Sequence, residues 1–379
     1  RKRSLNFAVM IEQPGDRLAH GFSHWQPWNP REPVSCWLTY TNEQTHEIIR
    51  KNLHLAPMYC GAITGIGTRY CPAIENKVVN FPHRERHQVF IEPEGLNTDE
   101  MYVAGLSSSL PEEIQDQFFR TVPGLEGVEI VRPGYAIEYD VIAPEQLSAA
   151  LQIKGWPGVF SAGQINGTSG YEEAAAQGII AGINAGLYLK GEPPFVLRRN
   201  EAYIGVLIDD LVTKENNEPY RIMTSRAEFR LSLRQENADL RLTDYGYQFK
   251  LISNEEYDRF QVKRQRIYDK LSFLEENQLT PNSKEAIALQ DITGISIQQK
   301  TSLKQILKNP AAKLSSLWDL LAPEKGSPLE DEVVENFIKY EGYLEREAKM
   351  AARLGKMEEK KLPEDLDYMA VPNLSYESR

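Results

Sequence analysis

Cysteine and histidine are scarce in this chain of 379 residues, which has three cysteines and six histidines. Cys36, Cys60 and Cys71 form no C-x-x-C pair and the histidines do not cluster, so neither a disulfide framework nor a zinc centre is expected and no metal site is assigned. A reducing cytoplasm is the simplest compartment for such a chain. No apolar run approaches the roughly 20 residues of a membrane span, and no signal peptide is recognisable ahead of the first domain. A strand-G-x-G-x-x-G-helix unit is also missing, because Gly65-x-Gly67 runs on into Thr68-Arg69-Tyr70 without a third glycine. No Walker-type GK[ST] loop occurs, which excludes a GTPase of that class. The net charge of −11 makes the surface as a whole repel nucleic acid. DNA is not an expected partner, and any RNA contact must come from a local basic patch.

What is present is an ordinary globular composition, 41% hydrophobic and 26% charged, in a chain long enough for two or three domains. The most informative stretch runs from Gly155 to Leu187. Val159-Phe160, between Gly158 and Ser161, predicts a brief buried strand, and Ala162-Gly163 ends it. Gln164, Asn166, Gly167 and Gly170 follow in a glycine-rich loop. Tyr171 to Leu187 then predicts a helix with Glu172 and Glu173 in its first turn. Small residues along that helix, among them Gly178, Gly182 and Gly186, suggest close docking on a sheet. Strand, glycine loop and helix N-terminus together aim backbone N–H groups at a phosphate or polar cofactor edge. The competing reading is a plain structural turn; the combination of Gly163, Gly167, Gly170 with polar Gln164 and Asn166 favours a cofactor loop.

A second stretch, Cys60 to Val78, has accessible backbone at Gly61, Gly65 and Gly67 and a positive fork at Arg69. Cys71-Pro72 suits the first turn of a helix continuing through Glu75 and Lys77. A thiol at a helix N-terminus beside Arg69 would carry more thiolate, as nucleophilic chemistry requires. An inert buried cysteine is the commoner fate, and the residues alone leave the two open. A third stretch, Arg221 to Arg241, has five arginines against three acids. If Ser225 caps a helix, Arg226, Arg230 and Arg234 lie on one face, with Phe229 and Leu233 anchoring another. Arginine forks match phosphate oxygens; the alternative is a set of intrachain ion pairs.

Three motifs in order carry a resemblance over nearly the whole chain: RYCP-x-IE-x-K, AGQINGT-x-GYEEAAAQG and SRAEFRL-x-LR-x-NADLRLT. They resemble the MnmG (GidA) family, FAD-dependent subunits of the tRNA wobble-uridine 5-carboxymethylaminomethyl modification system. The resemblance implies FAD contacts from Gly163, Gln164, Asn166, Gly167 and Gly170, with Gln164 as the flavin contact. It assigns Gly67, Thr68, Arg69, Tyr70, Cys71, Pro72, Ile74, Glu75 and Lys77 to NAD(H) binding, and implicates Cys71 in catalysis. Asn76 stands where the family commonly has aspartate. Arg221, Arg226, Arg230, Arg234 and Arg241 would contact tRNA. NADH would reduce the flavin, methylenetetrahydrofolate would donate carbon, and the MnmE GTPase would be the partner of a homodimer. The missing G-x-G-x-x-G turn implies a large piece of such a protein, without the family's first FAD segment.

The expected fold is α/β: a split Rossmann-like FAD-binding domain with an inserted nucleotide-binding α/β domain, followed by an all-α C-terminal domain. The inserted domain would span residues 1–143, the last FAD piece 144–198 and the helical domain 199–379. Elsewhere, strands are expected at Cys36–Tyr40, His87–Glu92 and Met101–Ala104, and helices over Glu43–Leu53, Pro111–Val122, Asn200–Val212, Glu255–Glu276 and Asp331–Lys361, with shorter ones over 283–322. Two other readings stand beside this one. A folate- and FAD-dependent tRNA uracil methyltransferase is disfavoured by the long helical tail and the GYEEAAAQG run. A non-catalytic RNA- or GTPase-binding module would retain no flavin.

Overall fold

A computed structural model describes residues 1–15, 33–63, 73–214, 218–321, 327–358, 363, 366–367 and 369. Two compact units emerge: residues 1–196 with 207–222, and residues 197–206 with 223–379.

The first unit is built on a four-stranded sheet in sequence order: β1 (Ile11–Gln13), β2 (Cys36–Tyr40), β3 (Gln88–Pro93) and β4 (Met101–Ala104). Every neighbouring pair is antiparallel, with Leu38 opposite Phe90 and Phe90 opposite Ala104. Period-2 alternation sends Val89 and Ile91 into the core, both fully buried. They meet three helices: α1 (Glu43–Asn52), α2 (Ile74–Asn80) and α3 (Glu112–Phe119), which contribute Ile49, Ile74 and Phe118. Helix α1 starts where Asn42 and Thr45 form a reciprocal capping box. Each fully buried aliphatic or aromatic side chain here contributes about 1.5–3 kcal/mol of transfer free energy. Cys36 opens β2 and is half-buried, in line with a strand packing residue.

Beyond the sheet the chain loops back to α4 (Tyr171–Lys190), which ends at left-handed Gly191. There the N–H groups of Gly191 and Glu192 close onto the carbonyls of Tyr188 and Leu187, a glycine stop. Helix α5 (Tyr203–Thr213) follows, and from Leu207 onward it belongs to the first unit, as does the segment through Tyr220.

The second unit is helical. Its elements are α6 (Ala238–Gln248), α7 (Asn254–Glu276), α8 (Lys284–Thr293), α9 (Leu303–Leu307), α10 (Leu314–Leu321), α11 (Pro328–Lys339) and α12 (Glu341–Glu358). A two-residue ribbon, β5 (Gln278–Leu279) with β6 (Thr301–Ser302), pins the α7–α9 connection. Ser253 and Glu256 form the capping box that opens α7, and Phe260, Ile267 and Leu274 bury one stripe of it at heptad spacing. The charged run expected as one helix from Asp331 to Lys361 is, as far as Glu358, two helices broken at Tyr340; residues 359–361 lie outside the described residues. Tyr340 leaves helical dihedrals (φ −98°, ψ 5°), and this break lets the two halves pack separately.

Candidate functional site

The glycine loop of residues 160–170 is the best-organised polar feature of the first unit. The apolar pair before it is not a strand. Val159 is 41% exposed and Phe160 makes only an isolated bridge to Gln152, so two apolar residues without a neighbouring ladder do not bury themselves. Gly163 (φ 88°, ψ −146°) turns the chain into a single 3-10 turn, Gln164–Asn166, which Gly167 closes in the left-handed region. Gly170 (φ 146°, ψ 149°) is the N-cap of α4, a conformation that is essentially glycine-only. A Cβ there would sit 2.0 Å from Glu173 Oε2.

Inside the loop, polar side chains bond to one another. Asn166 is fully buried; its Nδ2 donates to Ser161 O (3.0 Å) and Gln177 Oε1 (2.7 Å), and its Oδ1 accepts from Ser161 Oγ (2.7 Å). Thr168 Oγ1 donates to Gly163 O (3.0 Å). The loop's far side is clamped by Tyr220, whose N–H donates to Gly167 O (2.9 Å) and whose carbonyl accepts from Ser169 N (2.8 Å). Tyr220 is itself fixed by a bond to buried Asp210 (2.8 Å). Glu173 Oε1 accepts from Ile222 N at 2.9 Å, while its Oε2 is buried with no hydrogen-bond partner. What remains outward is Gln164, Ile165 and the first turn of α4, where Tyr171 is 93% exposed. The first-turn amides of a helix lack intrahelical partners and carry its positive end.

The structure thus brings Gly163, Gln164, Asn166, Gly167 and Gly170 together, with Gln164 outward and Asn166 turned into the framework. Among the described residues no sheet docks on the small-residue face of α4. The buried face is Glu173, Gln177, Ile180, Ala181, Asn184 and Leu187. Gly178, Gly182 and Gly186 lie off that face, and a Cβ on any of them would meet nothing within 4 Å among the described residues.

Of the second motif, Gly67, Thr68, Arg69, Tyr70, Cys71 and Pro72 lie outside the described residues. Helix α2 begins at Ile74, with Ala73 in the N-cap position and no side-chain cap. Ile74 and Glu75 are fully buried, and Glu75 Oε1 accepts from Ser109 N (2.9 Å) and Oγ (2.6 Å). Lys77 lines a cavity of about 380 Å³ together with His87, Phe81 and Phe90. His87 was read from the sequence only as a strand residue. Its ring lies 5.2 Å from that of buried His46, and His46 Nε2 shares a 2.7 Å hydrogen bond with Thr41 Oγ1. Burial pushes both imidazoles below the ordinary histidine value; for His87 the neighbouring His46, Lys77 and Arg84 add to the effect.

In the arginine segment the expected helix is absent. Thr224–Arg226 is one 3-10 turn and residues 228–232 form further turns, so Arg226, Arg230 and Arg234 share no helix face. Tertiary contacts hold this non-helical run: Glu347 of α12 accepts from Leu231 N (3.3 Å), Ser232 N (2.9 Å) and Ser232 Oγ (2.5 Å), and Ser232 N also donates to Phe229 O (3.0 Å). Phe229 and Leu233 are buried anchors, each 3% exposed. Arg234 is paired with Glu236 and lies 5.6 Å from the ring centre of Phe337. Arg241 donates to Asn237 Oδ1 (3.0 Å), Arg234 O (3.0 Å) and Glu201 O, and burial lowers its affinity for its proton. Arg221 and Arg226 are half-buried, and Arg230 is exposed. A cavity of about 570 Å³ in this unit is lined by Arg198, Arg199, Phe229 and Lys356. Arg199 forks onto Glu228 (2.7 and 3.1 Å).

Among the described residues no group of three His, Cys, Asp or Glu is placed to hold a metal ion, and no helix is long and apolar enough to cross a membrane. A family model described as glucose inhibited division protein A matches residues 1–193, and one for the tRNA modifying enzyme MnmG/GidA C-terminal helical domain matches residues 254–348. The tRNA uridine 5-carboxymethylaminomethyl modification enzyme MnmG of Caldicellulosiruptor saccharolyticus is 52% identical over the whole chain, and that of Heliobacterium modesticaldum 50%; the chain spans 60% of the length of each. The solved structure of Aquifex aeolicus GidA, form II crystal, superposes with a TM-score of 0.83 at 43% identity, covering 99% of this chain and 59% of that one. Its form I crystal gives 0.83 at 45% identity, covering 99% and 61%. The three motifs, the helical second unit and these likenesses agree: the chain belongs to the MnmG/GidA family.

Proposed function

We propose that this chain supplies the late flavin-contacting loop, the nicotinamide-binding segment and the helical region of a tRNA wobble-uridine modification enzyme. The observation that supports this most is the loop of residues 160–177, whose outward Gln164 and helix N-terminus stand on a glycine framework in a chain 52% identical to a relative named for that activity. The residues fit a flavin: Gly163 and Gly170 keep the backbone free of Cβ atoms where it turns, and the positive end of α4 favours an anionic or carbonyl edge. When bound and reduced by NADH, FAD would supply the carrier chemistry for the methylene group of methylenetetrahydrofolate, which reaches uridine C5 at its own oxidation level and ends bonded to the nitrogen of glycine or ammonium. Gln164, with both a donor and an acceptor, would orient the flavin's polar edge. Lys77, with Arg69, would complement the phosphates of NADH.

For the nucleic-acid step, C5 of uracil is a weak nucleophile until a group adds at C6. The Cys71 thiolate would form the S–C6 bond, moving the C5=C6 electron pair into an enolate whose C5 bonds to the methylene carbon presented as an iminium of glycine or ammonium, the C=N π pair passing to nitrogen. Loss of the C5 proton would then expel the thiolate and restore the double bond. The exposed Arg230 and half-buried Arg221 and Arg226 would contribute tRNA phosphate contacts, with Arg234 and Arg241 bracing the segment. A homodimer acting with the MnmE GTPase in the cytoplasm completes the reading.

The test is a visible absorption spectrum of the purified full-length gene product, before and after anaerobic NADH. The expected result is a flavin band that bleaches, and nucleoside analysis of tRNA showing a C5-substituted wobble uridine. The Cys71→Ser variant should keep the band and lose the product at least a hundredfold, on the order expected for removing a covalent nucleophile. Absence of retained flavin would overturn the enzyme reading, and unchanged product in Cys71→Ser would overturn the covalent role.

A further inference from the structure

Gln177 is fully buried two turns into α4, and its amide uses every hydrogen-bonding valence it has. Its Oε1 accepts from Gly163 N (3.2 Å) and Asn166 Nδ2 (2.7 Å). Its Nε2 donates to Thr168 Oγ1 (2.9 Å) and Glu173 O (3.1 Å). The amide cannot be flipped, because a backbone N–H faces one end and a backbone carbonyl the other. Through Thr168 the same side chain reaches Gly163 O, so both backbone groups of Gly163 are held by one connected network.

This matters because Gly163 starts the turn that carries Gln164. With Gly163 and Asn166 fixed at the base, Gln164 and Ile165 form the outward apex, Ile165 being 44% exposed. Buried networks that are fully satisfied are rigid, and their partial loss frees every member. We propose that Gln177 is a positioning residue for the flavin loop: it touches no ligand itself, and it presents Gln164 and the neighbouring amides to the isoalloxazine or its polar substituents in a single preset conformation. This rests on the flavin reading above.

The prediction separates positioning from plain stability through Asn184, a second buried amide on α4. It bonds in both directions to Phe195 (2.7 and 2.9 Å) and makes none of the loop's hydrogen bonds. In the full-length gene product, FAD affinity by fluorescence quenching, the visible flavin band and the melting temperature without FAD would be measured for wild type, Gln177→Ala and Asn184→Ala. The expected result is at least a tenfold weaker FAD affinity and a shifted flavin band for Gln177→Ala. Asn184→Ala should stay within about twofold of wild type in affinity while melting lower. Should Gln177→Ala fail to fold, Thr168→Val removes the hydroxyl bridge at constant shape and should weaken FAD similarly, and Thr168→Ser should restore it. Equal loss of affinity in Gln177→Ala and Asn184→Ala, or a Thr168→Val protein indistinguishable from wild type in affinity and band, overturns the positioning role. Wild-type protein that binds no FAD overturns the flavin reading and this proposal with it.

Discussion

The glycine loop and the arginine segment were both read from sequence as ligand-facing stretches, and they folded by different rules. In residues 160–177 the core network lies close in sequence: Gly163, Asn166, Thr168, Glu173 and Gln177 bond to one another across at most 14 residues, and Tyr220 and Ile222 add remote clamps at its edge. In residues 221–241 the deciding partners are remote. Glu347 lies 115 and 116 positions from the amides it binds, and Glu201 lies 40 from Arg241. A local pattern survives folding when its own residues satisfy its polar groups. It fails when a distant carboxylate competes for the same amides.

The largest effect expected from this contrast is in Arg241. Removing its side chain in Arg241→Ala leaves the acceptors Asn237, Arg234 O and Glu201 O without that donor, and should destabilise the second unit by about 3 kcal/mol in urea unfolding. Next comes Gly170→Ala, where the new Cβ meets Glu173 Oε2 at 2.0 Å in a glycine-only conformation. A loss of about 2–3 kcal/mol is expected from the first unit, together with weaker FAD binding.

A pH titration sharpens the comparison from a third place, because neither network contains a histidine. Burial lowers the pKa of His46 from an ordinary value of 6.5, so the unfolded chain takes up that proton before the folded one does. Stability is therefore unaffected by this group above about pH 6.5 and falls below it, by up to about 1 kcal/mol per pH unit. In His46→Gln the contribution of this residue to the acid limb should disappear. The smallest stability effect belongs to Arg230→Ala, an exposed residue, expected within about 0.5 kcal/mol of wild type. Its effect should be on tRNA binding, as a shallower salt dependence, whereas Arg241→Ala should act through stability. An Arg230→Ala protein with the wild-type salt slope would remove that residue from the RNA surface.

Much of the fold was legible. Strand β2, the β3–β4 pair, α1, α3, α4 and α7 all appear within a few residues of where alternation, caps and periodicity put them. The errors have physical sources. Val159-Phe160 has strand composition but no ladder to join. Within the described residues the buried stripe of α4 is its more polar one, where Glu173, Gln177 and Asn184 find partners. Gln177 carries no ligand signature in the sequence, and the legible sign of its role is its spacing of four from Glu173, which puts both on one helix face.

By itself the sequence determined the place of the glycine loop, the helix that follows it, the antiparallel strand pair and the family, because each depends on residues near one another or on ordered motifs. Only the tertiary structure decided which arginines face water, which face of α4 is buried, and that the His46 and His87 rings lie 5.2 Å apart with Lys77 nearby. Those outcomes depend on which polar groups meet across long stretches of chain, where a buried donor must find an acceptor wherever the fold brings one.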